Sequence, residues 1–372
     1  MSFTRDEERK IIQVIQRKGT EDYLMTWTDI TEYLNDILGY NYESTNTYRR
    51  VAKKYEEIEG YEQKKIDLQI ETVKVRDSHR EYKADIRNQA RIDTLNSRMV
   101  EAIKTLKPIN IVKKKTKKGK TDAVVNCSDW HIGAMHDNYW GKYSVDIAKK
   151  RIQHYANEVI RYNELFNFDE ILILNLGDMI EGMIHVSTRV QSELNAVDQT
   201  ILAGELFANF IAHIENNTDC KISVGWVLDN HSRVHPNKKD HIEAESFGRL
   251  IMEFVQLRLI GSRANFVGNV IDDNIGYYNL GNKAIGWVHG HLHNPLTIED
   301  KLHSGLDFKF DTIVMAHRHH KFEKGIVIQT GSPKGTDEYA KDKSLFTKPS
   351  QTIIVFEGNN KINIDIMLDK VN

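Results

Sequence analysis

Aspartate, asparagine and histidine residues recur in this sequence where short apolar runs end. Asp129 and His131 follow residues 123–127, and Asp178 follows residues 171–174. Three further apolar runs are followed by Asn230, His231, His289, His317 and His319. Mixed carboxylate, amide and imidazole donors suit borderline to hard divalent ions, and no cysteine lies among them to favour a thiolate site. The pattern therefore predicts a metal centre.

Alternating elements predict how these side chains are brought together. The apolar runs at 123–127, 171–174, 222–227, 284–288, 312–315 and 326–328 are typical of buried strands. Helical patterns lie between them at 146–165, 194–215 and 241–259, and the tail predicts a closing β-hairpin. This order predicts an α/β domain over residues 121–372. Because ligand sites in open α/β folds lie beyond the carboxyl ends of the strands, five separate segments are expected to meet at one edge.

The residue types also predict a division of roles. Two divalent ions about 3.5 Å apart need a carboxylate between them, and Asp178 is the candidate. Ions held in this way would polarise a phosphate and activate a water for in-line attack. His231, placed by the neighbouring Asn230, is the candidate acid that protonates the leaving oxygen. The predicted catalytic residues are therefore Asp178 and His231.

The order of these elements resembles the calcineurin-like metallophosphoesterases. The resemblance covers residues 121 to about 335 and is carried by Asp129-Trp130-His131, Gly177-Asp178, Asn230-His231, His289-Gly290 and His317-Arg318-His319. It implies a β-sandwich flanked by helices and two bound divalent ions. We expect Mn²⁺, with Fe²⁺, Zn²⁺ or Mg²⁺ as alternatives. The resemblance implies that one ion is held by Asp129, His131, Asp178 and His319, and the other by Asp178, Asn230, His289 and His317.

Three positions depart from the family's pattern. Asp229 stands where the family has the glycine before Asn-His, Ala316 replaces the glycine before His-x-His, and Ser232 replaces an acidic residue. Asp229 is the most consequential, because the position either needs a backbone angle that only glycine adopts or gains a charge beside the metals. Asn230 is retained as a predicted ligand.

Three segments narrow the resemblance to phage-encoded relatives of DNA-repair exonucleases of the SbcD type. They are residues 177–185, 230–234 and 331–337, and they imply a nuclease. His185, Arg189 and Arg233 flank the predicted metal-bearing loops and are candidates for binding the non-scissile phosphate, with loop anchoring as the alternative. A phosphatase acting on small molecules or phosphoproteins is the rival enzyme. A DNA-binding regulatory protein with a degenerate metal site is the rival from another class.

Residues 1–60 predict a helical region that precedes the catalytic domain. Thr4 and Glu7 have the spacing of a capping box, and a second helix is expected to end at Gly39. After a short turn, a third helix starts near Ser44, which outlines a helix-turn-helix unit. Its basic residues, the predicted DNA contacts, are Arg49, Arg50, Lys53 and Lys54. A small helical bundle with a solvated face is the alternative.

Residues 61–120 predict a long polar helix followed by a basic linker. An apolar seam at Ile92, Leu95, Met99, Ile103 and Leu106 is typical of a coiled-coil spacer or dimer arm, and equally of a helix packed along the catalytic domain. A homodimer through the N-terminal region is one expectation that follows. The linker at 113–120 contains six lysines. They are expected either to bind phosphates or to be exposed to solvent without a partner.

Charge is divided unevenly along the chain. Residues 1–120 hold 26 Lys+Arg against 20 Asp+Glu, and the rest holds 25 against 33. A basic front suits a polyanion such as DNA, and an acidic back needs cations before a phosphate can approach. No run is apolar enough to span a membrane and the N-terminus is charged, so we expect a cytoplasmic protein, in a bacterial host cell if phage-encoded.

Overall fold

The computed structural model describes residues 3–18, 25–184, 190, 192–235, 237–238, 241–243, 245–268, 271–342 and 344–371. It divides the chain into two compact units, Met1–Arg87 and Asn88–Asn372. The predicted domain boundaries after residues 60 and 120 stay a prediction. None of the described helices is both long and apolar enough to cross a bilayer.

The N-terminal unit is helical, as predicted. Helix α1 spans Arg5–Gln16, α2 spans Trp27–Leu38 and α3 begins at Asn46. The predicted capping box of Thr4 and Glu7 is present, and α2 ends at Gly39 in the left-handed conformation expected of a C-cap. The three helices enclose a small apolar core of Ile11, Ile30, Leu34, Tyr48 and Val51.

Helix α3 is longer than the sequence patterns predicted. The two helical stretches expected on either side of residue 60 form one helix, Asn46–Thr105, of 60 residues. It contains no proline, and the single glycine, Gly60, costs only about 1 kcal/mol in a helix interior, too little to end it. The side chains of Ile92, Leu95, Met99 and Ile103 lie outside the described set, so the apolar seam stays a prediction.

The second unit contains two mixed sheets packed face to face. One has the order β13-β12-β1-β4-β5-β6 and the other β10-β11-β9-β8-β7. The first sheet consists of β1 (Thr121–Cys127), β4 (Phe168–Asn175), β5 (Lys221–Trp226), β6 (Asn265–Phe266), β12 (Ser350–Glu357) and β13 (Asn360–Met367). The second consists of β7 (Gly276–Leu280), β8 (Lys283–Trp287), β9 (Thr312–Met315), β10 (Phe322–Lys324) and β11 (Val327–Gln329). Strands β2 (His136–Asn138) and β3 (Gly141–Tyr143) form a separate small hairpin.

Apolar side chains of both sheets form the inner layer of the sandwich. Val124 and Leu172 of the first sheet pack in one cluster with Ile285, Trp287 and Val314 of the second. Helices cover the outer faces: α4 (Val145–Phe166), α5 (Ala196–Asn217) and α6 (Phe247–Arg258) lie on the first sheet. Helix α7 (Ile298–Gly305) lies on the second, and a short α8 (Glu338–Asp342) follows β11. The predicted α/β class, a β-sandwich flanked by helices and preceded by a helical region, is confirmed.

Strand direction explains where the polar loops emerge. Strands β1, β4 and β5 are parallel in the first sheet, and β8 and β9 are parallel in the second. Their carboxyl ends therefore lie at the same edge of each sheet. The predicted tail hairpin is present as β12 and β13, and β12 pairs antiparallel to β1.

Candidate metal centre

Five loops converge at the carboxyl edge of the sandwich. Asp129, His131, Asp178 and His319 offer ligand atoms that all lie within 4.8 Å of one another, and so do Asp178, His289 and His317. Asn230 joins the second group, because its Oδ1 lies 3.0 Å from His289 Nε2. All seven residues singled out as ligands in the sequence thus lie together, in two groups that share Asp178.

Distances place Asp178 between the two groups. Its Oδ2 lies 3.2 Å from His289 Nε2, 3.9 Å from His317 Nδ1 and 3.9 Å from His131 Nε2. On the first side, Asp129 Oδ1 is 3.6 Å from His319 Nε2. Asp178 is 1% exposed, whereas the side chain of His317 is 34% exposed. The site is therefore buried at its base and open near His317, where a substrate could enter.

Backbone conformation distinguishes these residues from the rest of the fold. Among the described residues, seven non-glycine residues have positive φ. Five of them are candidate ligands: Asp129 (φ 51°), His131 (φ 45°), Asp178 (φ 50°), His317 (φ 73°) and His319 (φ 59°). Left-handed backbone costs about 1–3 kcal/mol per non-glycine residue, so it persists where the surroundings hold it. Such clustering is typical of functional sites.

Hydrogen bonds between the loops hold this backbone in place. The backbone N–H of Asp129 donates to Gly177 O at 3.0 Å, and that of His131 donates to Asp178 O at 3.0 Å. The backbone N–H of His317 donates to Asp129 Oδ1 at 3.2 Å. The ligand-bearing loops are therefore ordered by one another, and the side-chain geometry is set before any ion binds.

Buried charges at the site fit a cation. Burial raises the pKa of Asp129 to about 7. Burial alone would also raise the pKa of Asp178, but the charges of His289 and His231 outweigh it and hold that pKa well below its ordinary value. Although burial disfavours charge on His289, the Asp178 carboxylate raises the pKa of His289 to about 9. In the metal-free protein, protonated His289 therefore supplies the positive charge beside Asp178. Divalent ions commonly displace such protons when they bind.

Unsatisfied polar atoms support the same fit. His317 Nδ1 is buried without a hydrogen-bond partner among the described residues, and Asp178 Oδ2, although 3.2 Å from His289 Nε2, lacks a partner in hydrogen-bond geometry. Buried polar atoms are normally satisfied, and an ion is one of the partners that explain an exception. The donor set of oxygen and imidazole nitrogen also suits Mn²⁺, Fe²⁺ or Zn²⁺.

Two charged residues that the sequence did not single out support His131. His131 Nδ1 lies 2.9 Å from Glu181 Oε2, and Lys334 Nζ lies 3.1 Å from the same oxygen. Lys334 also pairs with Asp337 at 2.7 Å, and both Glu181 and Lys334 are at least 95% buried. Because Glu181 contacts Nδ1 of His131, the other ring nitrogen, Nε2, points towards Asp178 and His319 and can bind an ion there. The available signal was a lone charge inside each otherwise uncharged segment, 179–184 and 331–336.

Removal of Lys334 should destabilise the fold strongly. Lys334→Met leaves Glu181 and Asp337 without their cation, and breaking a buried ion pair typically costs about 3–5 kcal/mol. Urea denaturation of the metal-free protein would measure the change. Lys321→Met is the matched control, because Lys321 forms a partly exposed pair with Asp365 and should cost about 1 kcal/mol or less. Equal losses in the two variants would refute a special role for the buried pair.

His231 is fixed by contacts with the loop after β4. Its Nδ1 lies 2.8 Å from the carbonyl oxygen of Glu181, and its backbone N–H donates to Asp178 Oδ1 at 3.1 Å. The ring is 4.6 Å from that of His131, centroid to centroid. Gly182 (φ 73°) permits this approach, since a Cβ there would collide with His231 O. With Nδ1 donating to a carbonyl, Nε2 is the ring atom that can carry the transferable proton.

Asp229 shapes the turn that carries Asn230 and His231. Its Oδ1 accepts from the backbone N–H of Ser232 at 2.7 Å, and its Oδ2 accepts from the Ser232 hydroxyl at 2.9 Å. Asp229 is absent from the described residues with positive φ, and so is Ala316. The alternative that position 229 needs a backbone angle that only glycine adopts is therefore wrong, because the Asp229 carboxylate caps an ordinary turn. The expected added charge beside the site is present.

Asp229→Asn should show how this charge depends on pH. Burial, followed by the Asp178 charge, raises the pKa of Asp229 to about 6. Ionising a group with a raised pKa costs stability, so the metal-free protein loses stability through Asp229 as pH rises from about 4 to about 7. The variant retains the acceptor for Ser232 and cannot ionise. The free energy of unfolding of Asp229→Asn, minus that of wild type, should therefore increase by about 1–3 kcal/mol between about pH 4 and about pH 7. Urea denaturation in the presence of a chelator would measure it. A difference independent of pH would contradict this assignment.

The remaining predicted contacts are placed only in part. His185 and Arg189 lie outside the described residues, so their predicted phosphate contacts stay untested. Arg233 is half-buried, and its Nε donates to the backbone carbonyl of Asn230 at 3.0 Å. Of the other histidines near the site, the His291 ring lies 5.3 Å from that of His289 and 6.2 Å from that of His317.

In the N-terminal unit, two of the four predicted DNA contacts already have partners. The Arg49 guanidinium lies over the Trp27 ring at 5.1 Å, and Lys54 pairs with Glu8 at 3.1 Å. Both contacts are exposed and each contributes little, so neither prevents binding of a phosphate. Arg50 and Lys53 are exposed on the same helix.

Comparison with known proteins gives one sequence relative and several structures. No family model matches the chain. The SPbeta prophage-derived uncharacterized protein YonJ of Bacillus subtilis strain 168 is 22% identical over 390 residues, covering 95% of this chain and 94% of that protein.

Structural similarities are weaker. Vps29 of Chaetomium thermophilum is 13% identical, and the match covers 66% of this chain and 95% of that chain with a TM-score of 0.27. The calcineurin-like phosphoesterase YfkN of Bacillus subtilis is 12% identical, and the match covers 68% of this chain and 92% of that chain with a TM-score of 0.31. A 5'-nucleotidase of Candida albicans SC5314 is 11% identical, and the match covers 70% of this chain and 53% of that chain with a TM-score of 0.29. With TM-scores this low, the fold rests on the chain's own strand order and layers.

Proposed function

We propose that this chain is a two-metal-dependent phosphodiesterase that cleaves DNA, a nuclease of exonuclease type and of phage or prophage origin. One observation carries the proposal: seven oxygen and imidazole donors from five loops form two groups that share a single buried carboxylate, Asp178. Two ions bound there would supply charge neutralisation for the phosphate and a water activated for attack.

The chain's own residues then divide the work. Asp178 bridges the two groups, and the left-handed loops fix the donors before substrate arrives. Glu181 and Lys334 hold His131 in one orientation. His231, fixed through Nδ1, presents Nε2 to the leaving oxygen and donates the proton that an alkoxide requires.

DNA is the proposed substrate for reasons of charge. The helical N-terminal unit exposes Arg50 and Lys53, and the linker at 113–120 carries six lysines. Lys114 and Lys117 pair with Asp219, and the other four linker lysines are exposed. The prophage-derived relative is in keeping with phage origin. A polyanion would be drawn to these cations and delivered to the metal centre.

Salt dependence is the test of this substrate class. Cleavage of labelled single-stranded DNA in Mn²⁺ should weaken with salt by a log–log slope of about −0.7 per phosphate contact, and the joint variant Arg50→Ala/Lys53→Ala should reduce that slope. Hydrolysis of bis(p-nitrophenyl) phosphate should respond to neither change. If DNA is not cut but aryl esters are, a phosphatase is the better description. If neither reacts with added Mn²⁺, the chain is a regulatory protein with a degenerate site.

A further inference from the structure

A small cavity adjoins the open side of the candidate metal centre. Its volume is about 290 Å³, and Asn230 and His317 line both it and the metal centre. The rest of its wall comes from the loop after β5, the turn before β7 and the loop after β8. A chain that places one phosphate on the metal ligands would therefore extend directly into this space.

Two cationic side chains and two histidines line the cavity. Arg233, Lys238 and His241 come from the loop after β5, and His291 comes from the loop after β8. The lining also includes two carboxylates, Asp229 and Glu243, so sign alone does not decide what binds there.

Hydrogen bonds turn the two carboxylates towards the protein. Both oxygens of Asp229 accept from Ser232, and Glu243 Oε1 accepts from Asn274 Nδ2 at 3.2 Å. The cations are not neutralised in the same way. Within the described part of the chain, no carboxylate lies within 4.0 Å of the charged nitrogens of Arg233 or Lys238.

The cations are also partly oriented. The backbone carbonyl of Asn230 accepts from Arg233 Nε, which fixes the guanidinium plane and leaves its two terminal nitrogens to other acceptors. Burial, and then the charge of Arg233, lower the pKa of His241. This imidazole is therefore uncharged at neutral pH, and the positive charge of the cavity comes from Arg233 and Lys238.

We propose that this cavity is a subsite for the phosphate next to the scissile one in a nucleic acid strand, contacted by Arg233 and Lys238. The inference rests on the proposed function and narrows its substrate class to strands with at least two phosphates. A volume of about 290 Å³ suits a single nucleotide unit and is small for a larger ligand.

Lys238→Ala in the full chain with Mn²⁺ tests the subsite. Four substrates are compared: bis(p-nitrophenyl) phosphate and TpT, which have one phosphate, and pTpT and TpTp, which have a second phosphate on opposite sides of the scissile bond. The expected result is a roughly tenfold fall in kcat/KM for pTpT or TpTp relative to bis(p-nitrophenyl) phosphate, since a charge-assisted contact to phosphate is lost. Lys238→Arg should retain most of the preference.

Lys149→Ala provides the matched control, because Lys149 is exposed on α4 and its removal changes the net charge equally. An equal fall on all four substrates, or no change in the ratio, would overturn the subsite. If wild type hydrolyses none of them, the proposed function fails instead. Calorimetric titration with pTpT then decides the subsite alone: weaker binding to Lys238→Ala supports it, and equal binding refutes it.

Discussion

Asp178→Asn is expected to abolish turnover and to empty both ion sites. Asp178 is the only residue common to the two groups of donors, so its loss removes a ligand from each. If each ion contributes several kcal/mol to the transition state, the rate should fall by about 10⁴-fold or more. Metal content after dialysis and hydrolysis of bis(p-nitrophenyl) phosphate would measure the two effects.

A thermal measurement separates this effect from misfolding. Mn²⁺ should raise the melting temperature of wild type, because an ion that binds only the folded state stabilises it by mass action. Asp178→Asn should melt cooperatively without that rise. Asp146→Asn, at an exposed position in the first turn of α4, is the control and should keep both the rise and the activity. A variant that retained both ions would exclude Asp178 as the bridge.

The position of the site was predictable because strand direction is encoded locally. Short apolar runs separated by helical patterns predict parallel strands, and parallel strands present their carboxyl ends together. The donors after β1, β4 and β5 were therefore expected at one edge of the first sheet, and the structure brings the donors after β8 and β9 of the second sheet to the same place. Asp129 and His131, two residues apart in one loop, could then contribute to one group, whereas His317 and His319, also two residues apart, contribute to different groups.

Contacts between distant loops could not be predicted in the same way. Glu181 and Lys334 are 153 residues apart, and neither has a neighbour in sequence that indicates the pair. The left-handed backbone at His131 or His319 is also invisible in the sequence, because these residues seldom adopt it without tertiary hydrogen bonds. For Asp229, comparison with the family's glycine suggested strain, whereas the carboxylate caps its own turn through Ser232.

His231→Ala is expected to keep metal bound while losing about 10² to 10⁴ in rate on DNA. The backbone N–H of His231 donates to Asp178, its ring lies edge-on 4.6 Å from that of His131, and the carbonyl of Glu181 fixes the ring. A missing ring therefore leaves all seven candidate ligands in place. Metal analysis and single-turnover cleavage of labelled DNA would measure the two quantities, and an emptied site would show that His231 is itself a ligand.

Leaving-group chemistry distinguishes an acid from a residue that merely supports the loop. A nucleoside alkoxide needs a proton as it departs, whereas p-nitrophenolate leaves readily without one. His231→Ala should therefore lose far less on bis(p-nitrophenyl) phosphate than on DNA, while Glu181→Gln, which acts through His131, should lower both rates together. His154→Ala on α4 controls for loss of an imidazole away from the site. Equal losses on the two substrates would assign His231 to positioning, because only proton donation depends on the basicity of the departing oxygen.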